Sequence, residues 1–202
     1  MRCAILGESA ADEAAVETLL GALIGDSFER VHRGLKAPGW PAVRNLLPVT
    51  IKRLQFSSDT DALIVIADSN HTSVQEGASP NRLDELNGVA RQTLQGLAEV
   101  PGRDRLMVAV GIAVPAMEAW LLAPDNPRLS EAAWEEGLKN KRDPYTKNEL
   151  KKQLYGTDRP AFELEKERMI SAAGTVAQNI PLLEKRFPQG FGTLVQTVRE
   201  WL

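Results

Sequence analysis

The sequence predicts an α/β protein built on a parallel sheet, and three observations lead to this prediction. Short apolar segments alternate with segments of helical spacing, a βαβαβ order that is typical of a doubly wound parallel sheet. The clearest apolar segment, ALIVIA at 62–67, is continuous and β-branched, as expected of a central strand covered on both faces. No strand pattern follows Pro124, so we expect an α/β core over 1–124 and a helical C-terminal elaboration over 125–202 packed on it.

The first half of the chain alternates predicted strands with predicted helices. We expect a helix over 41–56, in which Pro48 predicts a kink or two short helices. A further helix is expected to begin after Ser79 as N-cap, with Pro80 in the first helical position. Strands are predicted at 2–6, 27–32, 62–67 and 106–112, and the remaining helices of this half at 10–24 and from Pro115 onward.

The C-terminal third shows only helical patterns. Ser130 caps a predicted helix over 130–138, and Thr146 with Glu149 forms a capping-box sequence that begins another helix through Leu154. A longer helix is predicted over about 161–179, and a last amphipathic helix ends the chain.

Composition restricts the class of protein. The 202 residues are 43% hydrophobic and 25% charged, with a net charge of -3, which excludes a general positive field that attracts nucleic acid. Cys3 is the single cysteine, so no intramolecular disulfide forms. We find no signal-peptide pattern and no apolar stretch of the roughly 20 residues that a membrane span needs. We therefore expect a cytoplasmic protein without a membrane partner.

Three acidic residues each follow a predicted strand. Glu8 follows RCAIL, Asp68 follows ALIVIA, and Glu118 follows LMVAVGIAVPAM. Because the carboxyl ends of parallel strands share one edge, these side chains can meet although they are distant in sequence. Clustered carboxylates repel each other and normally need a cation, so this edge predicts a divalent-metal site, with Asn70 as a neutral oxygen ligand.

Each acid also has a structural interpretation. Glu8 fits a helix-capping acid, Asp68 fits an Asx-turn that leaves the strand, and Glu118 fits a first-turn glutamate that faces solvent. His71, three residues after Asp68, fits a ligand, a proton carrier or a phosphate contact, and a solvated loop residue is the more common interpretation. The joint position of the three acids favours the metal site over the separate structural interpretations.

A basic segment over 139–159 has a local charge of +4 and contains Tyr145 and Tyr155. This pattern suits contact with a phosphate backbone, although a solvated helical face has the same pattern. Arg33 and Lys36 form a second basic segment with the same two interpretations. The candidate nucleic-acid-binding residues are Lys139, Lys141, Arg142, Lys147, Lys151 and Lys152.

The segments AILGES, IVIADSN and VPAMEAWLLA resemble the Toprim-like family called domain of unknown function 4276, which is related to RloB-like and OLD-type nucleases. The later segments YTKNELKKQLYG and RFPQGFGTLVQTVREWL are similar to the family's C-terminal segments, so the resemblance spans most of the chain. It implies a Toprim-like fold and a Mg²⁺ or Mn²⁺ site that acts on phosphodiesters, in which Glu8, Asp68 and Glu118 match the family's acids. Asn70 stands where the family has a second acid, which leaves one metal, weak metal binding or an inactive descendant open.

Three functions follow as hypotheses. The first is a metal-dependent phosphodiesterase, a nuclease of prokaryotic defence or DNA maintenance, with Asp68 and Glu118 as metal ligands and Glu8 as a ligand or general acid/base. The second is a non-catalytic Toprim-like subunit that works with an ATPase or effector partner. The third is a metal phosphohydrolase for a small phosphate ester.

Overall fold

A computed structural model describes residues 1–32, 35 and 37–202, and over these residues the protein is an α/β fold with one parallel sheet. The strands, in chain order, are β1 (Arg2–Leu6), β2 (Glu29–Arg30), β3 (Ala62–Asp68) and β4 (Met107–Ala113). They lie in the order β2-β1-β3-β4, and each neighbouring pair is parallel. The predicted α/β class and parallel sheet are therefore confirmed.

Helices fill the connections and the whole C-terminal third. Those before residue 125 are α1 (Ala10–Ile24), α2 (Trp40–Ser57), α3 (Arg82–Gln95) and α4 (Met117–Leu122). Those after it are α5 (Glu131–Lys139), α6 (Lys147–Tyr155), α7 (Phe162–Ala177), α8 (Ile180–Arg186) and α9 (Thr193–Arg199).

The strand order reverses direction beside β1. The chain places β2 on one side of β1 and then returns to place β3, and after it β4, on the other side. In open parallel sheets, such a reversal leaves a crevice at the carboxyl ends of the two strands that flank it. The residues that follow β1 and β3 lie at the carboxyl ends of these two strands, on either side of the reversal.

One hydrophobic core joins the sheet to both sets of helices. All six residues of ALIVIA are buried, and Trp120 of α4 packs edge-on against Phe191 with 4.9 Å between ring centroids. Helix α1 packs on α7, α4 packs on α6 and α7, and α9 packs on β4. The C-terminal helices thus hold the elements that surround the carboxyl edge, and the division at residue 124 stays a prediction.

Several boundaries differ from the sequence predictions. The strand predicted over 27–32 is reduced to two residues. Helix α3 begins after Asn81, whose side chain accepts the N–H groups of Leu83 and Asp84, so the prediction of Ser79 as N-cap is wrong. An Asn side chain caps a helix as well as a Ser side chain does. Asn81 lies two residues after Ser79, and the helix begins directly after the residue that accepts the capping hydrogen bonds.

Helix α2 is continuous through Pro48, so the alternative of two short helices is wrong. Val43, Leu47, Ile51 and Leu54 keep one buried stripe along the helix, and this packing outweighs the hydrogen bond that a proline cannot donate.

The sequence analysis missed α8 and the π-helical turn Pro188–Gly192 that follows it. This turn approaches β4 closely, because a Cβ atom built on Gly190 would lie 2.0 Å from the carbonyl oxygen of Ile112. Only glycine fits at this contact.

No helix in the described part of the chain is long and apolar enough to cross a membrane. The predicted basic segment at Arg33 and Lys36 lies outside the described residues.

Candidate acidic site at the carboxyl edge of the sheet

The structure brings Glu8 and Asp68 into direct contact. Glu8 lies in the turn between β1 and α1, and Asp68 is the last residue of β3. The backbone N–H of Asp68 donates a hydrogen bond to Oε1 of Glu8 at 2.9 Å. The two acids that flank the strand reversal therefore share one site, although 60 residues separate them.

Glu118 lies on the same edge and is buried. It occupies the first turn of α4, and only 5% of its surface is exposed. The hydroxyl of Tyr155, from α6, donates a hydrogen bond to Oε1 of Glu118 at 3.2 Å. The interpretation of Glu118 as a solvent-facing glutamate is therefore wrong, because α6 covers it.

Asp12 is a fourth acid of this site. We call Glu8, Asp12, Asp68 and Glu118 together the acidic cluster. Burial raises the pKa of Asp12 well above its ordinary value, and the charges of Asp68, Glu118 and Glu8 raise it further, while a hydrogen bond with Ser9 opposes them. The sequence analysis missed Asp12. Its position one helical turn after Glu8, in the first turn of the predicted α1, is the signal that would have identified it.

The carboxylates of the acidic cluster destabilise each other's charged forms. Burial raises the pKa of Glu8 and of Glu118, and in both cases the nearby charge of Asp68 is the second cause. Lys147 opposes the shift at both residues, joined by Arg82 at Glu8 and by Lys151 at Glu118. The upward direction shows that these cations compensate only part of the cost of burial and repulsion.

Asp68 has the best-matched partners of the four acids. Its Oδ2 atom accepts a hydrogen bond from the ammonium group of Lys147 at 2.6 Å, and its Oδ1 atom accepts the N–H of Met117 at 3.1 Å. Arg82 donates to the Asp68 carbonyl oxygen and stacks over Trp40, with 4.5 Å to the ring centroid. The centre of the cluster is thus bounded by two cations, from α6 and α3.

A cavity of about 220 Å³ lies beside the Asp68–Lys147 pair. Asn70, the predicted neutral ligand, lines it, with a positive φ of 52° and its N–H bonded to the Pro115 carbonyl oxygen at 2.9 Å. His71 also lines it, and its Nδ1 atom lies 3.8 Å from Oδ2 of Asp143. The structure therefore places Asn70 and His71 in the wall of this cavity.

The predicted nucleic-acid-binding residues differ in their exposure and contacts. Lys139, Lys141 and Arg142 are exposed around the connection between α5 and α6. The ammonium nitrogen of Lys152 lies 3.9 Å from Oδ2 of Asp158. In contrast, Lys147 contacts Asp68, and the charge of Lys151 opposes the rise in the pKa of Glu118. Two lysines that sequence reasoning assigned to a nucleic-acid backbone thus belong to the surroundings of the acidic cluster.

The donor chemistry of the cluster fits a hard divalent cation, since four buried or half-buried carboxylates repel each other within one site. The positions of these side chains fit a cation less well than their donor types do. No group of three or more His, Cys, Asp or Glu side chains in the described ranges is placed so that it could hold a metal ion. A cation would therefore require Asp68 to turn from Lys147 or the neighbouring acids to move towards it.

Comparisons of this chain with family models, with curated proteins and with solved structures find no match.

Proposed function

We propose that this protein hydrolyses phosphodiester bonds, as a nuclease that depends on Mg²⁺ or Mn²⁺. The observation that supports this most is the convergence of Glu8, Asp68 and Glu118. Three acids that follow three different strands meet in one buried cluster, where burial and then the charge of Asp68 raise the pKa values of Glu8 and Glu118. Such perturbed groups concentrate at functional sites, because a fold gains no stability from uncompensated repulsion.

In this proposal Asp68 and Glu118 hold the cation, Asn70 adds a neutral oxygen, and Glu8 completes the site or acts as general acid/base. Asp12 lies close enough to Glu8, Asp68 and Glu118 to influence the same site. A bound divalent cation stabilises charge on a phosphate and lowers the pKa of a bound water. Lys147 and Arg82 neutralise the phosphate, and the exposed Lys139, Lys141, Arg142 and Lys152 contact the rest of the strand.

We also propose a Toprim-like, doubly wound arrangement of the core. The reversal of strand order at β1 supports it, as do the separate contacts of α1 with α7 and of α2 with α3. Right-handed crossovers over such a reversal put α1 on one face of the sheet and α2 and α3 on the other. The sequence resemblance to Toprim-like nucleases favours the same fold and the same chemistry.

Cleavage assays test the proposal directly. Supercoiled plasmid, single-stranded DNA, RNA and p-nitrophenyl phosphate are incubated with wild type and Mg²⁺ or Mn²⁺, beside Glu118→Gln and the matched control Glu136→Gln on the exposed face of α5. We expect metal-dependent cleavage of a nucleic acid that falls by at least about 100-fold in Glu118→Gln and is unchanged in Glu136→Gln. Cleavage of the ester alone would indicate a small-molecule phosphohydrolase, and equal activity in all variants would reject the site.

A non-catalytic subunit is the second candidate, and the existing hydrogen-bond partners of Asp68 favour it. Both carboxylate oxygens of Asp68 are already satisfied, by Lys147 and by the Met117 N–H. An ion pair of this kind can organise α6 on the core without any metal. Absence of cleavage and of metal binding in wild type, together with loss of folding in Lys147→Ala, would support this candidate.

A further inference from the structure

We propose that the cavity beside Lys147 binds one phosphate group of a nucleotide chain, together with part of the attached nucleoside. This inference specifies the substrate class of the proposed nuclease, but the binding step does not require that hydrolysis takes place. Lys147 connects the cavity to the acidic cluster, because it is a lining residue of the cavity and its ammonium group contacts Asp68. A ligand in the cavity therefore lies next to the carboxylates.

The size of the cavity fits a part of a ligand rather than a whole one. Its volume is about 220 Å³, whereas pockets that enclose a complete small molecule typically measure about 300–1,000 Å³. A phosphate with its sugar is of the size that such a cavity accepts, and the rest of a polynucleotide would extend over the surface. The surface around the α5–α6 connection carries the exposed Lys139, Lys141 and Arg142.

The polar groups of the wall are suited to a phosphorylated ligand. Lys147 and His71 provide nitrogen donors for phosphate oxygens, and the amides of Asn70 and Asn148 can donate to and accept from a sugar or a base. Such amide groups are the ones that proteins use to contact base edges. A charged lysine and neutral amides in the same lining match the two parts of a nucleotide.

The apolar part of the wall makes the cavity rigid. Trp134 is 2% exposed and packs on Tyr145, with 5.5 Å between ring centroids. The His71 ring packs on Trp134 from another position, with 6.3 Å between ring centroids. The loop that carries Asn70 and His71 is fixed by Glu135 of α5, which accepts hydrogen bonds from the Ser73 hydroxyl and the Val74 N–H. A preformed cavity binds its ligand with less ordering cost than a mobile loop.

One group in the wall opposes a phosphate, and it gives the proposal a sharp test. The carboxylate of Asp143 lines the cavity and lies 3.8 Å from Nδ1 of His71. If a phosphate binds here, Asp143→Asn removes a repulsion and increases the affinity for phosphate. If the phosphate binds elsewhere, this substitution leaves the affinity unchanged.

Calorimetric titration of the whole chain without divalent metal tests the inference. The probes are inorganic phosphate, a nucleoside 5′-monophosphate and a dinucleotide that has only an internal phosphodiester. We expect Lys147→Gln and His71→Ala to weaken binding about tenfold each, Asp143→Asn to strengthen it, and Lys185→Gln to change it less than twofold. Lys185 is the matched control, because it is an exposed lysine of α8 that lies outside the cavity wall.

The probes distinguish the source of the phosphate, and the variants distinguish the site. Binding of the monophosphate but not of the dinucleotide indicates a terminal phosphate, and binding of both indicates an internal one. No binding of any probe, or equal losses in Lys147→Gln and Lys185→Gln, overturns the inference. Proton–nitrogen NMR spectra of each variant establish that it is folded, and the indole signal of Trp134 reports a ligand in the cavity.

The same titration with Asp68→Asn separates this inference from the proposed function. The substitution removes the ion pair that holds Lys147, so the proposal expects phosphate binding to be retained or strengthened while any hydrolysis is lost. Hydrolysis without phosphate binding in the cavity would overturn the inference alone. Phosphate binding without hydrolysis in wild type would reject the nuclease and leave the inference standing.

Discussion

Buried carboxylates in two regions of this protein, helix α5 and the acidic cluster, differ in how their charge is compensated. On α5, Glu131 accepts the N–H groups of Gln189 and Gly190, and Glu135 accepts the Ser73 hydroxyl and the Val74 N–H. In the acidic cluster, the carboxylates face each other as well as protein donors. The glutamates of α5 fix two loops through these donors, and burial is the main cause that raises the pKa of Glu131 to about 7. In the cluster, the charge of Asp68 adds to burial as the second cause that raises the pKa values of Glu8 and Glu118.

This difference separates a structural acid from a candidate functional one. A buried carboxylate is stable where donors converge on it, and its removal leaves those donors unpaired. A carboxylate beside other carboxylates costs stability, so its removal relieves repulsion. Substitutions in the two regions are therefore expected to change the free energy of unfolding in opposite directions.

The largest expected effect is the loss of Glu131. In Glu131→Ala the backbone N–H groups of Gln189 and Gly190 lose their acceptor in a buried environment, which should lower the free energy of unfolding by about 3 kcal/mol. Urea denaturation measures it, with Glu136→Ala, exposed on the same helix, as the control that should change less than about 0.5 kcal/mol. Equal effects of the two substitutions would contradict a structural role for Glu131.

Glu135→Ala should lower the free energy of unfolding by about 2 kcal/mol, because the buried Val74 N–H and the Ser73 hydroxyl lose their acceptor. The effect should extend to the loop with Asn70 and His71. Hydrogen exchange of the backbone amides over 70–78 checks this, with faster exchange expected there than in β3. Unchanged exchange over 70–78 would show that Glu135 does not fix this loop.

Glu118→Gln should act in the opposite direction. It removes one charge from the acidic cluster while its amide oxygen can still accept from Tyr155, so without divalent cations it should raise the free energy of unfolding by about 1 kcal/mol at pH 7.5. Thermal unfolding measures the shift. A loss of more than about 1 kcal/mol would mean that the Glu118 carboxylate holds protein donors in place, as that of Glu131 does.

The least residue-specific effect is a pH dependence of stability, because several carboxyl groups contribute to it. Burial raises the pKa of Glu131 to about 7 and also raises the pKa values of Glu8 and Glu118, so the folded state binds more protons than the unfolded state in this range. A raised carboxyl pKa gives full stability below the unfolded pKa of about 4.5 and loses it as pH rises through the folded pKa.

Urea denaturation at pH 5, 6, 7 and 8 should therefore show a decline in stability up to about pH 7, which is smaller in Glu131→Gln. A free energy of unfolding that rises over this range would contradict the direction of these shifts.

The sheet and the positions of three acids could be predicted from the sequence because both depend on local patterns. ALIVIA is apolar throughout, and the geometry of parallel strands places Glu8 and Asp68 at one edge. Lys147 could not be predicted there, because it reaches Asp68 across 79 residues through the packing of α6 on α4. Asp12 was missed since its role depends on which face α1 turns to the edge.

The same distinction between local patterns and contacts of distant elements explains the errors in the predicted fold. Pro48 suggested a break that the buried stripe of α2 overrides, and the π-helical turn depends on a close approach of Gly190 to β4 that no local pattern reveals. Local signals identified elements and strand ends, whereas contacts between distant elements decided the caps, the turn and the cations of the acidic cluster.

Binding of Mn²⁺, followed by calorimetry at pH 7.5, tests most directly whether the acidic cluster is a divalent-cation site. Wild type is compared with Asp68→Asn and Glu118→Gln, and with Glu131→Gln as a buried-glutamate control. The account predicts one saturable site in wild type that weakens at least about tenfold in the first two variants and is unchanged in the third. No saturable binding in wild type, or equal weakening in all three variants, would contradict it.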